Sequence, residues 1–265
     1  YDDVTTAFDH EDDDYDAKTF EVRLVSSGDG PLEWIAGIWY EKEDGVESVF
    51  IPIQTPRTDL FGGFLVDGSI SWDTEAFDDQ EELAVYGEVG YRFTDKTKLT
   101  LGYRRADLEL DSGILRADGL FNAVDAATIG VDESTQEDVD TYKIHFEYTV
   151  NDDVLAYALA SSGYRAGGFN RSAITGLSPA SRYDSDSLWN YEVGVRTSWL
   201  DNRLIANVVA YYIDWSDIQL RTLDLASLSR RIQNVGKAEV FGFETEIRYQ
   251  ATDHLHLGMN YAYTD

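Results

Sequence analysis

The sequence predicts an all-β fold: an antiparallel transmembrane β-barrel segment of about ten consecutive strands within 265 residues. Three observations carry this. Apolar and polar residues alternate strictly with period two, which gives each strand two unlike faces. Short polar turns alternate with connections of roughly 20 to 40 residues, whereas structureless loops beyond about 12–15 residues are uncommon in compact soluble domains. Aromatic residues fall just before the short turns, where the girdle of a membrane barrel meets the interface.

Residues 1–16 are acidic and aperiodic, so a loop is expected there. Alternation begins at Thr19, with Phe20, Val22 and Leu24 against Glu21 and Arg23. The turn Ser26-Ser27-Gly28-Asp29-Gly30-Pro31 leads to a second strand with Leu32, Trp34, Ala36, Ile38 and Tyr40 in phase. An irregular segment is expected over 43–81. The strand 82–93 follows, with Leu83, Val85, Val89, Tyr91 and Phe93 against Ala84, Tyr86, Glu88, Gly90 and Arg92. A turn at Thr94–Thr97 opens the strand 98–108, and a second irregular segment is expected over 109–138. In 141–150, Tyr142, Ile144, Phe146, Tyr148 and Val150 oppose Lys143, His145 and Glu147.

The stretch Asn151–Asn170 reads as a polar turn, a strand and a glycine-rich tip. Its large residues Leu155, Tyr157 and Leu159 are expected towards lipid, and Ala156, Ala158 and Ala160 towards the lumen. Residues 188–199 set Tyr191, Val193, Val195, Thr197 and Trp199 against Asn190, Glu192, Gly194 and Arg196. After the turn at Asp201-Asn202, residues 203–214 have apolar side chains on both parities, so their faces stay open. Residues 238–250 and 255–263 form the last expected hairpin, with Phe241, Phe243, Ile247 and Tyr249 on one parity. Tyr91, Phe93, Tyr148, Trp199 and Tyr249 make the girdle at the side of the short turns.

Composition supports this pattern. The chain holds 17 Tyr, 12 Phe and 6 Trp against one Met and four Pro, a β-favouring balance. No apolar run approaches the roughly 20 residues of a membrane-spanning helix. The absence of Cys excludes a disulfide scaffold and thiolate-held metals. A net charge of −29 argues against nucleic acid as a partner. The excess is concentrated in 1–16, 41–82 and 107–138, while 165–188 carries three Arg against two Asp and 215–238 four bases against two acids. Charged residues on a lipid face would each cost about 2–4 kcal/mol at mid-bilayer, so the clean sorting of charge onto one parity points to a barrel wall.

Three phrases carry a family resemblance: SSGYRAGGFN (161–170), LWNYEVGVRTSWLDNRLIANVVAYYIDWSDIQL (188–220) and NVGKAEVFGFETEI (234–247). They resemble the C-terminal half of the barrel of TonB-dependent outer-membrane receptors, and FEVRLVSSGDGPLEWIAGIWYE (20–41) resembles an earlier hairpin. The resemblance implies a transporter with a barrel of roughly 22 strands and a plug in its lumen. Residues 1–265 are then expected to be a partial barrel domain, truncated at both ends, with the plug domain absent. It further implies the outer membrane of a Gram-negative bacterium. The implied partners are membrane lipid and lipopolysaccharide, the TonB complex through a missing N-terminal region, and a ferric siderophore or similar small ligand. No enzyme activity, cofactor or resident metal is expected.

Candidate sites divide into several readings. Gly163–Asn170 is a strand top whose glycines permit close packing, or a rim where Arg165, Asn170 and Arg171 border a ligand vestibule. With Arg182, Arg221, Arg230 and Arg231, these residues are the candidate ligand-binding set, since fork-shaped Arg donors suit carboxylate or catecholate oxygens. His254 and His256 could hold a metal or be two lumen-facing polar residues. Asp12, Asp13 and Asp14 could bind Ca²⁺ weakly, but lack the spacing of a calcium loop, and a solvated acidic loop is the alternative. The expected function is energised uptake of a ferric siderophore. A passive porin and a soluble carbohydrate-active β enzyme are the alternatives.

Overall fold

The computed structural model describes residues 6–7, 10–54, 70–118, 132–170, 181–224 and 229–265. Among them are fifteen strands and no helix. They are β1 (Thr6–Ala7), β2 (His10–Val25), β3 (Leu32–Gln54), β4 (Ile70–Thr94), β5 (Thr97–Asp118), β6 (Asp132–Asn151), β7 (Val154–Arg165), β8 (Gly168–Asn170), β9 (Ser181–Tyr183), β10 (Asp186–Trp199), β11 (Leu204–Ser216), β12 (Gln219–Asp224), β13 (Ser229–Asn234), β14 (Lys237–Thr252) and β15 (Leu255–Thr264).

One antiparallel sheet runs in the order β1, β3, β4, β5, β6, β7, β10, β11, β14, β15, and β2 pairs with β3 beside β1. Chain neighbours pair throughout, as hairpins joined by short turns require. The sheet is open, with β2 and β15 at its edges. The ten long strands match the expected number, and tight turns sit near residues 28, 95, 152, 201 and 253 as expected. At the fourth of these, Leu200, Asp201 and Asn202 all have positive φ, and the Arg203 N–H closes the turn on the Leu200 carbonyl at 3.2 Å.

Strand length departs from expectation. The described parts of 43–81 and 109–138 are strand, with 55–69 and 119–131 outside the described residues: β3 has 23 residues, β4 25, β5 22 and β6 20. The acidic run 10–16, read as loop, opens β2, so Asp12, Asp13 and Asp14 alternate across a strand and do not line a loop. A spanning strand needs only about 9–11 residues. The upper halves of these strands therefore stand about 30 Å clear of the membrane at the usual 3.3 Å rise and barrel tilt. Backbone ladders hold them there with few buried apolar side chains, Ala76 and Leu108 among them, so apolar periodicity gave no sign of them.

Register assigns the faces. On the outward side Tyr142 lies opposite Tyr103, Val195 opposite Val208, and Tyr212 opposite Phe241. Val193, Leu101 and Ile144 are all about half exposed or more, as lipid-facing residues are in the isolated protein. The ambiguous strand resolves with Leu204, Ala206, Val208, Ala210 and Tyr212 outward and Ile205, Asn207, Val209 and Tyr211 inward.

For β7 the register reverses the expected assignment. Ala156, Ala158 and Ala160 lie opposite Tyr148, Phe146 and Ile144 on one side and Val195, Val193 and Tyr191 on the other, all outward residues. Leu155, Tyr157 and Leu159 lie opposite Thr149, Glu147 and His145, on the inner wall. The reason is visible at Tyr157. A Cβ at Gly194, its cross-strand partner, would fall inside van der Waals contact with the Tyr157 ring. The ring lies over that glycine, stacks edge-on with His145 at 5.6 Å and takes the Arg196 guanidinium on its face at 5.1 Å. Tyr86 over Gly37 and Tyr211 over Gly242 repeat this aromatic-on-glycine pairing along the inner wall.

Candidate functional site

Two rings of outward aromatics bracket an apolar band. Tyr91, Phe93, Tyr148, Trp199 and Tyr249 form the expected ring beside the short turns. A second ring was not anticipated. Tyr103 packs on Tyr142 at 5.5 Å, Tyr142 stacks on Trp189 at 6.3 Å, Trp189 on Tyr191 at 6.0 Å, and Tyr191 on Tyr212 at 6.3 Å. Trp199 to Tyr191 and Tyr249 to Phe241 are each eight residues apart. Eight residues of tilted strand rise about 20 Å, close to the roughly 25 Å apolar band of an outer-membrane barrel.

The inner wall is polar and internally paired. Near the short turns Glu33 accepts from Arg92 at 2.7 Å and Lys98 at 2.5 Å, and higher on the wall Lys143 donates to Glu88 at 2.9 Å. On the wall built by β7, β10, β11, β14 and β15, Tyr157, Arg196, Asn207, Glu244, Glu246 and Asn260 line a concavity of about 540 Å³. Above it Arg104 bridges Glu82, one of the few buried carboxylates, while Tyr164 donates to the same carboxylate at 3.3 Å. Tyr164 and Ala166 pack on Ala84, Ala106 and Leu108, so the top of β7 folds over the inner face of β4 and β5. Ser185, at the other end of the same connection, donates to Glu137 of β6.

Arg165 sits at this rim. Its guanidinium donates to the carboxylate of Asp186, its cross-strand partner, and to the Gln219 carbonyl at 3.1 Å, and lies over the Trp215 ring at 5.6 Å. The Asp186 side chain is 3% exposed and that of Arg165 is 52% exposed. A buried anion thus orients a cation that stays open to the lumen side. Asn170 is engaged otherwise: its amide donates to the Ile232 carbonyl and accepts from the Ile232 N–H, both at 2.7 Å.

The remaining candidates spread over the two connections. Arg182 pairs with Asp184 at 3.4 Å on the rim of the β7–β10 connection. Arg221 is exposed on β12, opposite Ile232, and Arg231 lies opposite Thr222, so the two alternate to opposite faces of the β12–β13 hairpin. Arg230 lies opposite Leu223, and its side chain falls outside the described residues, as does Arg171 altogether. The structure therefore brings Arg165, Asn170 and Arg182 together with the root of the β12–β13 hairpin, but does not gather the arginines into one face. Asp186, Trp215, Gln219 and Asn234 complete the arrangement and were not singled out from sequence. Only Asp186 has a sequence signal, its inward parity on β10.

The other candidates read differently. His254 lies in the β14–β15 turn and His256 on β15, and no third ligand approaches them among the described residues. On the upper inner wall, carboxylate oxygens of Glu11, Asp13 and Glu47 lie within 4.8 Å of one another.

The model of the TonB-dependent receptor-like β-barrel matches residues 1–265. The chain belongs to the TonB-dependent receptors. Solved structures with the same fold include the ferric yersiniabactin uptake receptor of Yersinia pestis, at 17% identity and a TM-score of 0.76, with 98% of this chain and 37% of that one covered. The ferripyoverdine receptor of Pseudomonas aeruginosa matches at 16% identity and a TM-score of 0.66, covering 97% and 33%. The ferric-catecholate import receptor of E. coli matches at 14% identity and a TM-score of 0.63, covering 95% and 38%. The chain thus spans about a third of the length of these TonB-dependent receptors. Members of the family are transporters of the Gram-negative outer membrane, not enzymes, and the two aromatic rings fit this TonB-dependent receptor wall to that membrane.

Proposed function

We propose that this wall belongs to a receptor that carries a ferric siderophore inward across the outer membrane, with energy from TonB. Residues 1–265 are part of its barrel, and the plug and the TonB-contacting segment lie elsewhere in the full receptor. One observation carries the ligand reading: Arg165 is oriented by buried Asp186 over Trp215 while its side chain stays about half exposed at the inner rim. Such a fork can take two oxygens of a carboxylate or catecholate ligand while keeping its protein bonds. Arg182, Arg221, Arg230, Arg231 and Arg171 supply further positive charge on the same two connections, against a chain of net charge −29. Similar receptors named for ferric yersiniabactin, ferripyoverdine and ferric catecholates support the same ligand class.

The test is uptake of radiolabelled ferric chelates by iron-starved cells that carry the full receptor as their sole route. Uptake should vanish without TonB. Arg165→Lys, which keeps the charge and loses the fork, should raise the half-saturating concentration by about tenfold, the loss of one charge-assisted bond. Entry that persists without TonB would overturn the reading in favour of passive diffusion.

A further inference from the structure

The β7–β10 and β11–β14 connections each contain their own small ladder. β8 pairs with β9 inside the first, and β12 with β13 inside the second. These are separate sheets, and no backbone ladder joins them to each other among the described residues. What joins them is a set of side-chain amides that imitate backbone.

Asn170 of the first connection makes the two-bond pairing with Ile232 of the second that a strand neighbour would make. Asn234 of the second returns it: its amide oxygen accepts from the Asp184 N–H at 2.8 Å and its amide nitrogen donates to the Asp184 carbonyl at 2.8 Å. The same nitrogen reaches the Asp217 carbonyl at 2.8 Å, which fixes Asn234 to the root of its own connection. Gln219 crosses as well, donating to the Ala166 carbonyl at 2.7 Å and the Asp184 carbonyl at 3.0 Å. Asp186 finishes the seam by accepting from the Gln219 N–H at 3.1 Å and from Arg165.

We propose that the roots of these two connections are one mechanical unit, locked by the Asn170, Asn234 and Gln219 amides, so that whatever displaces one connection displaces the other. The lock is reciprocal, because each connection supplies a side chain to the backbone of the other. It is largely uncharged, so neither salt nor pH between 5 and 9 should open it; amides do not titrate and direct hydrogen bonds are little screened. Its placement is specific: it joins the two segments that hold Arg165, Arg182 and Arg221 and so fixes their spacing. The coupling stands whatever ligand is carried.

The experiment is amide hydrogen exchange on the full receptor in detergent or nanodiscs. In the unmodified protein the amides of 168–170 and 181–184 should share one opening equilibrium with those of 230–234. Asn170→Asp keeps the shape and the acceptor but sets a carboxylate against the Ile232 carbonyl. It should speed exchange in both connections by on the order of tenfold or more, the loss of about one buried bond with an unpaired acceptor left behind. Asn234→Asp should do the same from the other side, and the pair should be less than additive, since either opens the same seam. Exchange in β10 and β11 should be unchanged, which separates unlocking from misfolding. Deprotection confined to the connection that bears the substitution would overturn the proposal. So would unequal opening equilibria in the unmodified receptor, a result that needs no variant to fold. Absence of TonB-dependent uptake by the unmodified receptor, with coupling intact, would count against the uptake reading alone.

Discussion

At the scale of single residues, the inner wall is organised by tyrosines lying on glycines. Tyr157 covers Gly194 so closely that any side chain there must displace the ring. Gly194→Val is expected to destabilise the full receptor by about 1–3 kcal/mol, the usual cost of overpacking a filled site. Tyr157→Ala in the same chain should recover part of that loss, measurable as the temperature at which the folded band converts on gel electrophoresis. Asp186 presents a second case. It is 2% exposed and accepts from both Arg165 and the Gln219 N–H, so Asp186→Ala leaves the Gln219 N–H without this acceptor and Arg165 without its carboxylate. A loss of about 1–3 kcal/mol is expected on the same measurement. Of these residues, sequence parity placed Gly194 on the inner wall; Asp186 lies two residues before the strand that the sequence predicts and shares its inward parity only once β10 is seen to begin there. Parity could not pair Arg165 with Asp186, because that contact depends on which strand β7 borders, and it gave no sign that Asn170 bonds Ile232.

At the scale of elements, β7 shows how alternation alone can point the wrong way. Large-and-small alternation over Leu155–Ala160 says that the two faces differ, but not which face is lipid. The neighbours decide, since Ala158 sits between Phe146 and Val193 and Leu159 between His145 and Glu192. Ala158→Arg should therefore cost about 2–4 kcal/mol, as for a charge in mid-bilayer. Leu159→Arg, which meets Glu192, should cost much less. Urea titration of the two variants in lipid vesicles checks this, and a larger cost for Leu159→Arg would restore the assignment expected from sequence.

The strand extensions supply a pH prediction. Asp16, Asp44, Asp79 and Asp111 stand opposite one another across β2 to β5, above the aromatic ring. Burial, and then Asp44, push the Asp79 carboxyl above the usual range. A raised acid is favoured by folding in its neutral form. Its contribution is thus full below the ordinary value near 3.9 and lost as pH rises through the folded value. Asp79→Asn should stabilise the extension at neutral pH, by about 0.2–1 kcal/mol for one relieved cross-strand repulsion. The gain should fade below about pH 3.9. Protease cleavage within 44–54 and 70–79 against pH reads it directly.

At the scale of the whole molecule, the sheet has two free edges, β2 and β15, and a lipid-facing outer surface. Unsatisfied edge groups are not tolerated in hydrocarbon. Residues 1–265 expressed alone are therefore expected to give no heat-modifiable membrane species, whereas the full receptor should; gel mobility before and after boiling checks it.

The sequence by itself determined the ten strands, the side of the short turns, one aromatic ring, and the sorting of charge to one wall. Each of these follows from local periodicity, which a strand expresses whatever its neighbours. Only the tertiary structure decided the length of β3 to β6, the orientation of β7, the second aromatic ring and the amide seam between the two connections. These depend on register. Register places residues from distant parts of the chain opposite one another, and a hydrogen bond between Asn170 and Ile232, 62 positions apart, has no local trace in the residues that make it.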